Sequence, residues 1–483
     1  MPLKAKIMSQ QLARQKSTSA SKAAENDAED VLFNSNYGLR SIELNRPSKL
    51  NALNGSMISK ITPRLLEWAK SDMANVIVMK GAGPKAFCAG GDVATLALWN
   101  KNGQQQKSID YFSKEYQLDH LIATYQKPYI AFMDGITMGG GVGLSVHAPI
   151  RIATERTVFA MPETTIGFFP DVGASFFLPR MAGEAGTYLA LTSERLSGVN
   201  VFYTGLATHY LHSSSLPQLE SRLAELRFKD YDDMPSRLAV INATIEEYCT
   251  GLPYDEPMFL AGEIRNAIDR CFRHDTVHEI LAALEAEQAQ KQQDPQVQAW
   301  AKHTIDVLHQ RSPTSVHVAL RQMRLGPKWS ISETFKREHQ IAAKFMKGQE
   351  FTRGVTSKLI DRSKGPVQWE PRTLEDILPE ENISEDFFKV DEKLPKLELL
   401  SRTDYVEYPY SREFGLPTEK DVMEKVSLGL STPDEVLQHF LEEKRNKQGV
   451  LEVVSEILAR KVAEDKQGTA VWVDHLEQPT TTA

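Results

Sequence analysis

Between Val31 and about Ile152, short runs of β-forming apolar residues alternate with longer stretches whose apolar positions recur every three or four residues. Leu39-Arg-Ser-Ile-Glu-Leu44 alternates with period two, as a half-buried strand does. A turn at Arg46-Pro47-Ser48-Lys49 follows, and a helical pattern runs from Ser56 to Lys70. Val76-Ile-Val-Met79 reads as a short apolar strand stopped by Gly81, Gly83 and Pro84. A helix carrying Tyr116, Leu118 and Leu121 extends to Gln126, Pro128 ends it, and Tyr129-Ile-Ala-Phe132 reads as another buried strand. Strands separated by helices predict α/β units around a largely parallel sheet.

Beyond Gly183 the pattern becomes mainly helical. Residues 216–227, 233–250, 257–290 and 295–311 show helical spacing, punctuated by Pro217, Pro253, Pro257 and Pro295. Residues 370–392 hold nine acidic side chains with Pro371 and Pro379, which predicts a solvated acidic linker over 371–392. A helical C-terminal extension follows over 393–483. In it, Ser431-Thr-Pro433-Asp-Glu435 supplies a hydroxyl cap, a first-turn proline and acids against the helix dipole. Val450, Val453, Val454, Ile457, Leu458 and Val462 then form an apolar stripe that needs cover, either the body of the protein or a partner. No internal repeat is visible.

Composition adds constraints. The chain has 483 residues, 41% hydrophobic and 25% charged, which is ordinary for a globular protein and excludes collagen-like or wholly disordered classes. Lys and Arg total 56 against 64 Asp and Glu, a formal charge of −8, so no broad nucleic-acid-binding face is expected. The first 24 residues contain no acid but include Lys4, Lys6, Arg14, Lys16 and Lys22 with several hydroxyls. That composition predicts a mitochondrial targeting segment over residues 1–30. Without those 24 residues, 51 basic side chains face 64 acidic ones, a net charge of −13. Cys88, Cys249 and Cys271 form no C-x-x-C pair and read as buried hydrophobes. No apolar run is long enough to span a membrane, and no metal-ligand spacing occurs.

Three glycine-rich segments carry the candidate chemistry: Phe87-Cys-Ala-Gly-Gly-Asp92, Gly135-Ile-Thr-Met-Gly139-Gly-Gly-Val-Gly143, and Met161-Pro-Glu163 followed by Gly167-Phe-Phe-Pro-Asp171-Val-Gly173. Glycines between a strand and a helix let the backbone approach a ligand and leave N–H groups at a helix start. Neither a P-loop nor G-x-G-x-x-G is present. Two such turns with nearby carboxylates suit polarisation of a carbonyl and activation of a nucleophile or water. On the residues alone, Glu163 reads also as a strand-end ion pair, while Asp171 reads rather as a helix cap after Pro170 and Glu115 rather as a solvated helix charge.

These segments resemble the crotonase superfamily and, within it, the 3-hydroxyisobutyryl-CoA hydrolases. The resemblance runs from about Val31 to Pro371 and includes Asn45-Arg-Pro47, Asn51-Ala-Leu53, Gln126-Lys-Pro128, Phe177-Leu-Pro-Arg180 and Gly354-Val-Thr-Ser-Lys-Leu-Ile-Asp361. It implies an α/β fold, a crotonase-like ββα superhelix over 31–183 with a helical region over 184–370, together one hydrolase domain. It implies that the backbone N–H groups of Gly91 and Gly140 hold a thioester oxygen, and that Glu163 is the catalytic carboxylate, as nucleophile or general base. Asp171 would be the acidic partner near the reacting centre and Glu115 a further substrate-contacting acid. Lys49, Asn51 and Ala52 would lie along coenzyme A, which is part of the substrate; no separate cofactor is implied. Enoyl-CoA hydratases carry a second catalytic glutamate where this chain has Gly143, and that counts against hydration. Ala174-Ser175 stands where the hydrolase pattern has further glycines.

The implied activity is hydrolysis of 3-hydroxyisobutyryl-CoA in mitochondrial valine breakdown, with a location in the matrix. Long fungal-type members of the group resemble a protein of the mitochondrial small ribosomal subunit, so the alternative is a structural component of that subunit, alone or together with hydrolysis, with the subunit's proteins as partners. The extension from about Lys393 favours it, since hydrolysis does not require that segment.

Overall fold

A computed structural model describes residues 29–229, 231–290, 294–429 and 431–473. The expected targeting segment falls almost wholly outside them.

Two sheets grow side by side. The larger has six strands in the order β1 (Val31–Asn36), β2 (Leu39–Leu44), β3 (Val76–Gly81), β5 (Tyr129–Met133), β7 (Ile150–Ala153) and β10 (His209–Tyr210). The smaller runs β4 (Ala86–Cys88), β6 (Ile136–Met138), β8 (Val158–Ala160) and β9 (Leu196–Ser197). β1 and β2 form an antiparallel hairpin, β8 and β9 pair antiparallel, and the remaining ladders are parallel. Each repeat of the spiral therefore gives one strand to each sheet before the chain returns through helix or loop. Parallel neighbours require such crossovers, which is why glycine-rich turns recur at corresponding places. The helical part contributes more to the sheets than its spacing suggests, because β9 and β10 lie beyond Gly183.

The central strands are buried on both faces, as near-continuous apolar runs require. Ile77, Met79, Tyr129 and Ala131 face the main core, whereas Val76, Val78, Ile130 and Phe132 face a second cluster. Helices Leu216–Glu225 and Met234–Glu246 cover the latter with Leu219, Leu223, Leu238 and Ile241. The stretch 257–290 is two helices, Gly262–Phe272 and Val277–Ala289, because Thr276 and Glu279 form a reciprocal cap that starts the second.

Residues 371–392 depart from the expected solvated linker. Leu374 and Ile377 are buried, Phe387 packs on Phe345 at 4.6 Å, and Phe388 lies against Trp329 at 6.3 Å. The acids point outward while the interleaved apolar residues anchor the segment along helix Ile331–Lys347. The extension also folds back onto the body. Val450, Val453, Val454, Ile457 and Leu458, on helix Val450–Lys461, join the main core, each buried aliphatic contributing roughly 1.5–3 kcal/mol. The extension is not wholly helical: β11 (Val462–Glu464) and β12 (Ala470–Trp472) close it as a hairpin.

Candidate active site

The site forms where the smaller sheet releases its chain into two turns. After β4, the segment Gly90–Asp92 runs beside Leu53: the Leu53 N–H donates to the Gly90 carbonyl and the Asp92 N–H to the Leu53 carbonyl, both at 2.8 Å. After β6, Gly139 takes φ 47° and ψ −119°, a conformation essentially limited to glycine, and the single helical turn Gly140–Gly143 follows. A Cβ placed on Gly140 would stand 2.6 Å from Oε1 of Glu115 and 3.4 Å from the Gly91 nitrogen. Only a residue without a side chain lets these three groups approach one another. Among the described residues, no protein acceptor pairs with the N–H of Gly91 or of Gly140. Two such donors are what a developing oxyanion requires.

Carboxylates surround that turn. Glu163 opens a 3-10 turn after Pro162, and its Oε1 lies 3.0 Å from where a Cβ on Gly139 would stand. Its Oε2 is buried with no protein partner among the described residues. Consecutive residues Gly139 and Gly140 are therefore flanked by Glu163 and Glu115. The hydroxyl of Tyr111 reaches Oε1 of Glu115 at 3.3 Å and the Leu53 carbonyl at 3.0 Å. Tyr116 donates to Oδ2 of Asp171 at 2.7 Å. Glu338 accepts from the backbone N–H groups of Gly173 (2.7 Å) and Ser175 (2.9 Å), fixing the turn beyond Asp171. Ala174-Ser175 costs that turn nothing visible, since both are buried and the Ser175 hydroxyl accepts from Gln322 at 2.7 Å.

Burial dominates the electrostatics. It pushes Glu163 and Glu115 well above the usual carboxylate range, and the negative charge of Asp171 adds to both. Burial raises Asp171 to about 7 against the opposing hydrogen bond from Tyr116, and raises Glu338 to about 8. A set of like charges this close cannot all ionise at neutral pH. Protons are thus shared among these buried carboxyls, and only some of them carry charge at neutral pH.

Lys49 is exposed at the end of the turn Pro47–Lys49, and Ala52 lies half-buried beside the Gly90–Asp92 segment. Asn51 is committed elsewhere. Its Oδ1 accepts from the Arg46 N–H, and its Nδ2 donates to the carbonyls of Ala82 and Ala86. The side chain therefore knits the fold, while Arg46 pairs with Asp92 at 3.1 Å. Tyr111, Asp119 and Glu338 escaped sequence reading. The first two share with Glu115 a stripe spaced by four on helix Gln105–Ala123, a signal the sequence does contain. Glu338 stands far along the chain, with nothing local to mark it. Both Asp119 oxygens are buried without a protein partner among the described residues, and Oδ2 lies 2.6 Å from where a Cβ on Gly143 would stand. Among the described residues, no group of His, Cys, Asp and Glu is arranged to hold a metal ion, and no helix is long and apolar enough to cross a membrane.

Alternating strands in two sheets, paired glycine N–H groups and a glutamate on the following turn define a crotonase-superfamily protein. Residues 39–388 match the enoyl-CoA hydratase/isomerase family, and the chain belongs to it. Small ribosomal subunit protein mS47 of Neurospora crassa is 61% identical over 472 residues, spanning 96% of this chain and 92% of that protein. The mitochondrial 3-hydroxyisobutyryl-CoA hydrolase of Gallus gallus is 40% identical over 353 residues, 73% of this chain and 87% of that protein. A carnitinyl-CoA dehydratase from Mycobacterium thermoresistibile superposes with a TM-score of 0.66 at 31% identity, covering 77% of this chain and 100% of that one. The named hydrolase and ribosomal relatives are mitochondrial, which places this chain in the mitochondrion.

Proposed function

We propose that this protein hydrolyses 3-hydroxyisobutyryl-CoA to 3-hydroxyisobutyrate and coenzyme A in the mitochondrial matrix, as a step of valine breakdown. The observation that supports it most is the placing of Glu163 and Glu115 against the consecutive glycines Gly139 and Gly140, beside the Gly91 nitrogen. The thioester oxygen would accept from the N–H groups of Gly91 and Gly140, each worth about 10²–10³ in rate. Glu163 then either attacks the carbonyl carbon, giving a mixed anhydride that water opens, or takes a proton from an attacking water. In both routes the carbon–sulfur bond breaks and the coenzyme A thiolate takes a proton from the acidic cluster. Asp171 and Glu115 would receive the acyl group's hydroxyl. No step needs a separate cofactor. Hydration is disfavoured because a side chain at Gly143 would stand 2.6 Å from Asp119 and 2.8 Å from Val172. The test is release of free coenzyme A from 3-hydroxyisobutyryl-CoA by the purified chain, with Glu163→Gln slower by about 10²–10⁴. An inactive wild type, or a fully active Glu163→Gln, refutes the reading. A single turnover in ¹⁸O-water tests for the nucleophilic route: label found in the Glu163 carboxyl requires an anhydride opened at its glutamyl carbon, an outcome base catalysis does not give.

A second reading is a place among the proteins of the mitochondrial small ribosomal subunit, compatible with the first. Its support is the breadth of the ribosomal match, 96% of the chain against 73% for the hydrolase. Leu428 and Leu451 are exposed apolar residues of the folded extension. Co-sedimentation with small subunits that survives intact in a Leu428→Asp, Leu451→Asp variant would exclude docking through these two side chains.

A further inference from the structure

The extension reaches the site described above. His147 lies between Tyr408 and the turn that carries Asp171: its Nδ1 is 2.7 Å from the Tyr408 hydroxyl and its Nε2 is 2.8 Å from the Val172 carbonyl. A carbonyl only accepts, so Nε2 holds the proton. Burial pushes the imidazole down to about 4, so the ring is neutral at physiological pH and Nδ1 offers a lone pair. The Tyr408 hydroxyl therefore donates to Nδ1. The chain of donors has one direction, from Tyr408 through His147 to Val172.

What is held at the far end is unusual. Val172 has φ 54°, in the left-handed region that β-branched residues avoid. Such a conformation persists only where its surroundings impose it. Two clamps do so. Glu338 grips the N–H groups of Gly173 and Ser175 from helix Ile331–Lys347. His147 grips the Val172 carbonyl from the other side, seated so closely that a Cβ on Gly173 would stand 2.4 Å from Nε2. The first clamp belongs to the hydrolase domain; the second is completed by the extension. Tyr408 is itself fixed by edge-on packing against Phe176 at 5.0 Å, one helical turn beyond the strained residue.

We propose that Tyr408, supplied by the C-terminal extension, is a positioning residue of the hydrolytic site: through His147 it holds the Val172 carbonyl and so fixes the turn that aims Asp171. The inference rests on the hydrolase reading of that site. It makes the extension part of the active-site scaffold rather than an appendage, and it gives any partner bound to the extension a physical route to Asp171.

The experiment uses Tyr408→Phe in the full chain, which removes one hydroxyl and keeps the ring packing. The expected result is a kcat about 10-fold lower with KM within about two-fold, as for a misplaced rather than missing group. Hydrogen exchange, read by mass spectrometry on a peptide spanning residues 168–178, should quicken, with exchange in β3 unchanged. Tyr405→Phe, which removes a hydroxyl that donates to the Ala123 carbonyl at 3.1 Å, should match wild type in both readouts. An active wild type paired with a Tyr408→Phe variant unchanged in kcat, or in exchange over 168–178, overturns the inference alone. A wild type that releases no coenzyme A overturns the reading beneath it, while exchange over 168–178 still decides whether Tyr408 holds the turn.

Discussion

Tyr116 donates its hydroxyl to Oδ2 of Asp171 across 2.7 Å, joining the helix that carries Glu115 to the turn that follows Glu163. Burial raises Asp171 to about 7, and the Tyr116 bond acts in the opposite direction. Tyr116→Phe therefore moves Asp171 further up. The ionised carboxylate is the form that accepts a hydrogen bond from a substrate hydroxyl. The limb of the pH–rate profile that follows Asp171 should thus shift to higher pH by about one unit, lowering kcat/KM at pH 7 by about five-fold. A profile superimposable on wild type would remove Asp171 from the rate-determining ionisations.

Gly140 leaves no room for a side chain between Glu115 and the Gly91 nitrogen. Gly140→Ala sets a methyl group 2.6 Å from Oε1 of Glu115 and 3.4 Å from the Gly91 nitrogen, so both the acid and the donor must shift. Loss of one aligned donor predicts a fall in kcat of about 10²–10³. Thermal unfolding of the same variant supplies the comparison. If activity falls only in proportion to the fraction unfolded, the turn's role is structural.

Asp119 carries a different signature. It is fully buried with neither oxygen partnered by protein among the described residues, and burial with the nearby Glu115 charge pushes it well above the ordinary range. The native state then holds a proton that the unfolded chain, with an Asp near ~3.9, releases. Stability must fall as pH rises above the unfolded value. Asp119→Asn cannot ionise and lacks that loss. Differential scanning calorimetry should show the variant gaining on wild type between pH 5 and pH 8; parallel curves would mean that Asp119 is solvated.

The fold was legible in the sequence because its strands carry short-range signals. The alternation in Leu39–Leu44 and the apolar runs at Val76 and Tyr129 name their own elements, and glycines mark the turns. The site was half legible. Gly91, Gly140, Glu163, Asp171 and Glu115 sit in turns or on a helix whose pattern resembles a known family, and the structure brings them together. Glu338 lies 165 residues from Gly173 and Tyr408 lies 261 from His147, and only tertiary packing reveals that a helix face and a distal segment converge on Val172. Residues 371–392 mislead for the converse reason. Charge density there signals solvent, but Leu374, Ile377 and two phenylalanines between the acids determine the packing.

The extension is tied down by charge as well as apolar burial, and that gives it a pH-dependent grip. Glu419 accepts from Arg265 at 3.2 Å and pairs with Arg460, while Asp269 pairs with Arg265 and lies 3.8 Å from Lys461. Burial alone would raise Glu419, but the two guanidinium groups outweigh it and hold the carboxyl below its ordinary value. The stabilisation is thus fully present above the unfolded value of about 4.3 and is lost as acid protonates the folded carboxylate. Glu419→Gln leaves two buried cations short of a counter-charge, a change that costs about 3–5 kcal/mol. The expected outcome at pH 7 is early release of the extension, seen as protease cleavage within residues 411–461 before the body unfolds. Wild type should show the same cleavage only in acid. If Glu419→Gln resists cleavage like wild type at pH 7, apolar burial of the Val450–Lys461 helix alone holds the extension, and Tyr408 remains in place when these ion pairs are lost.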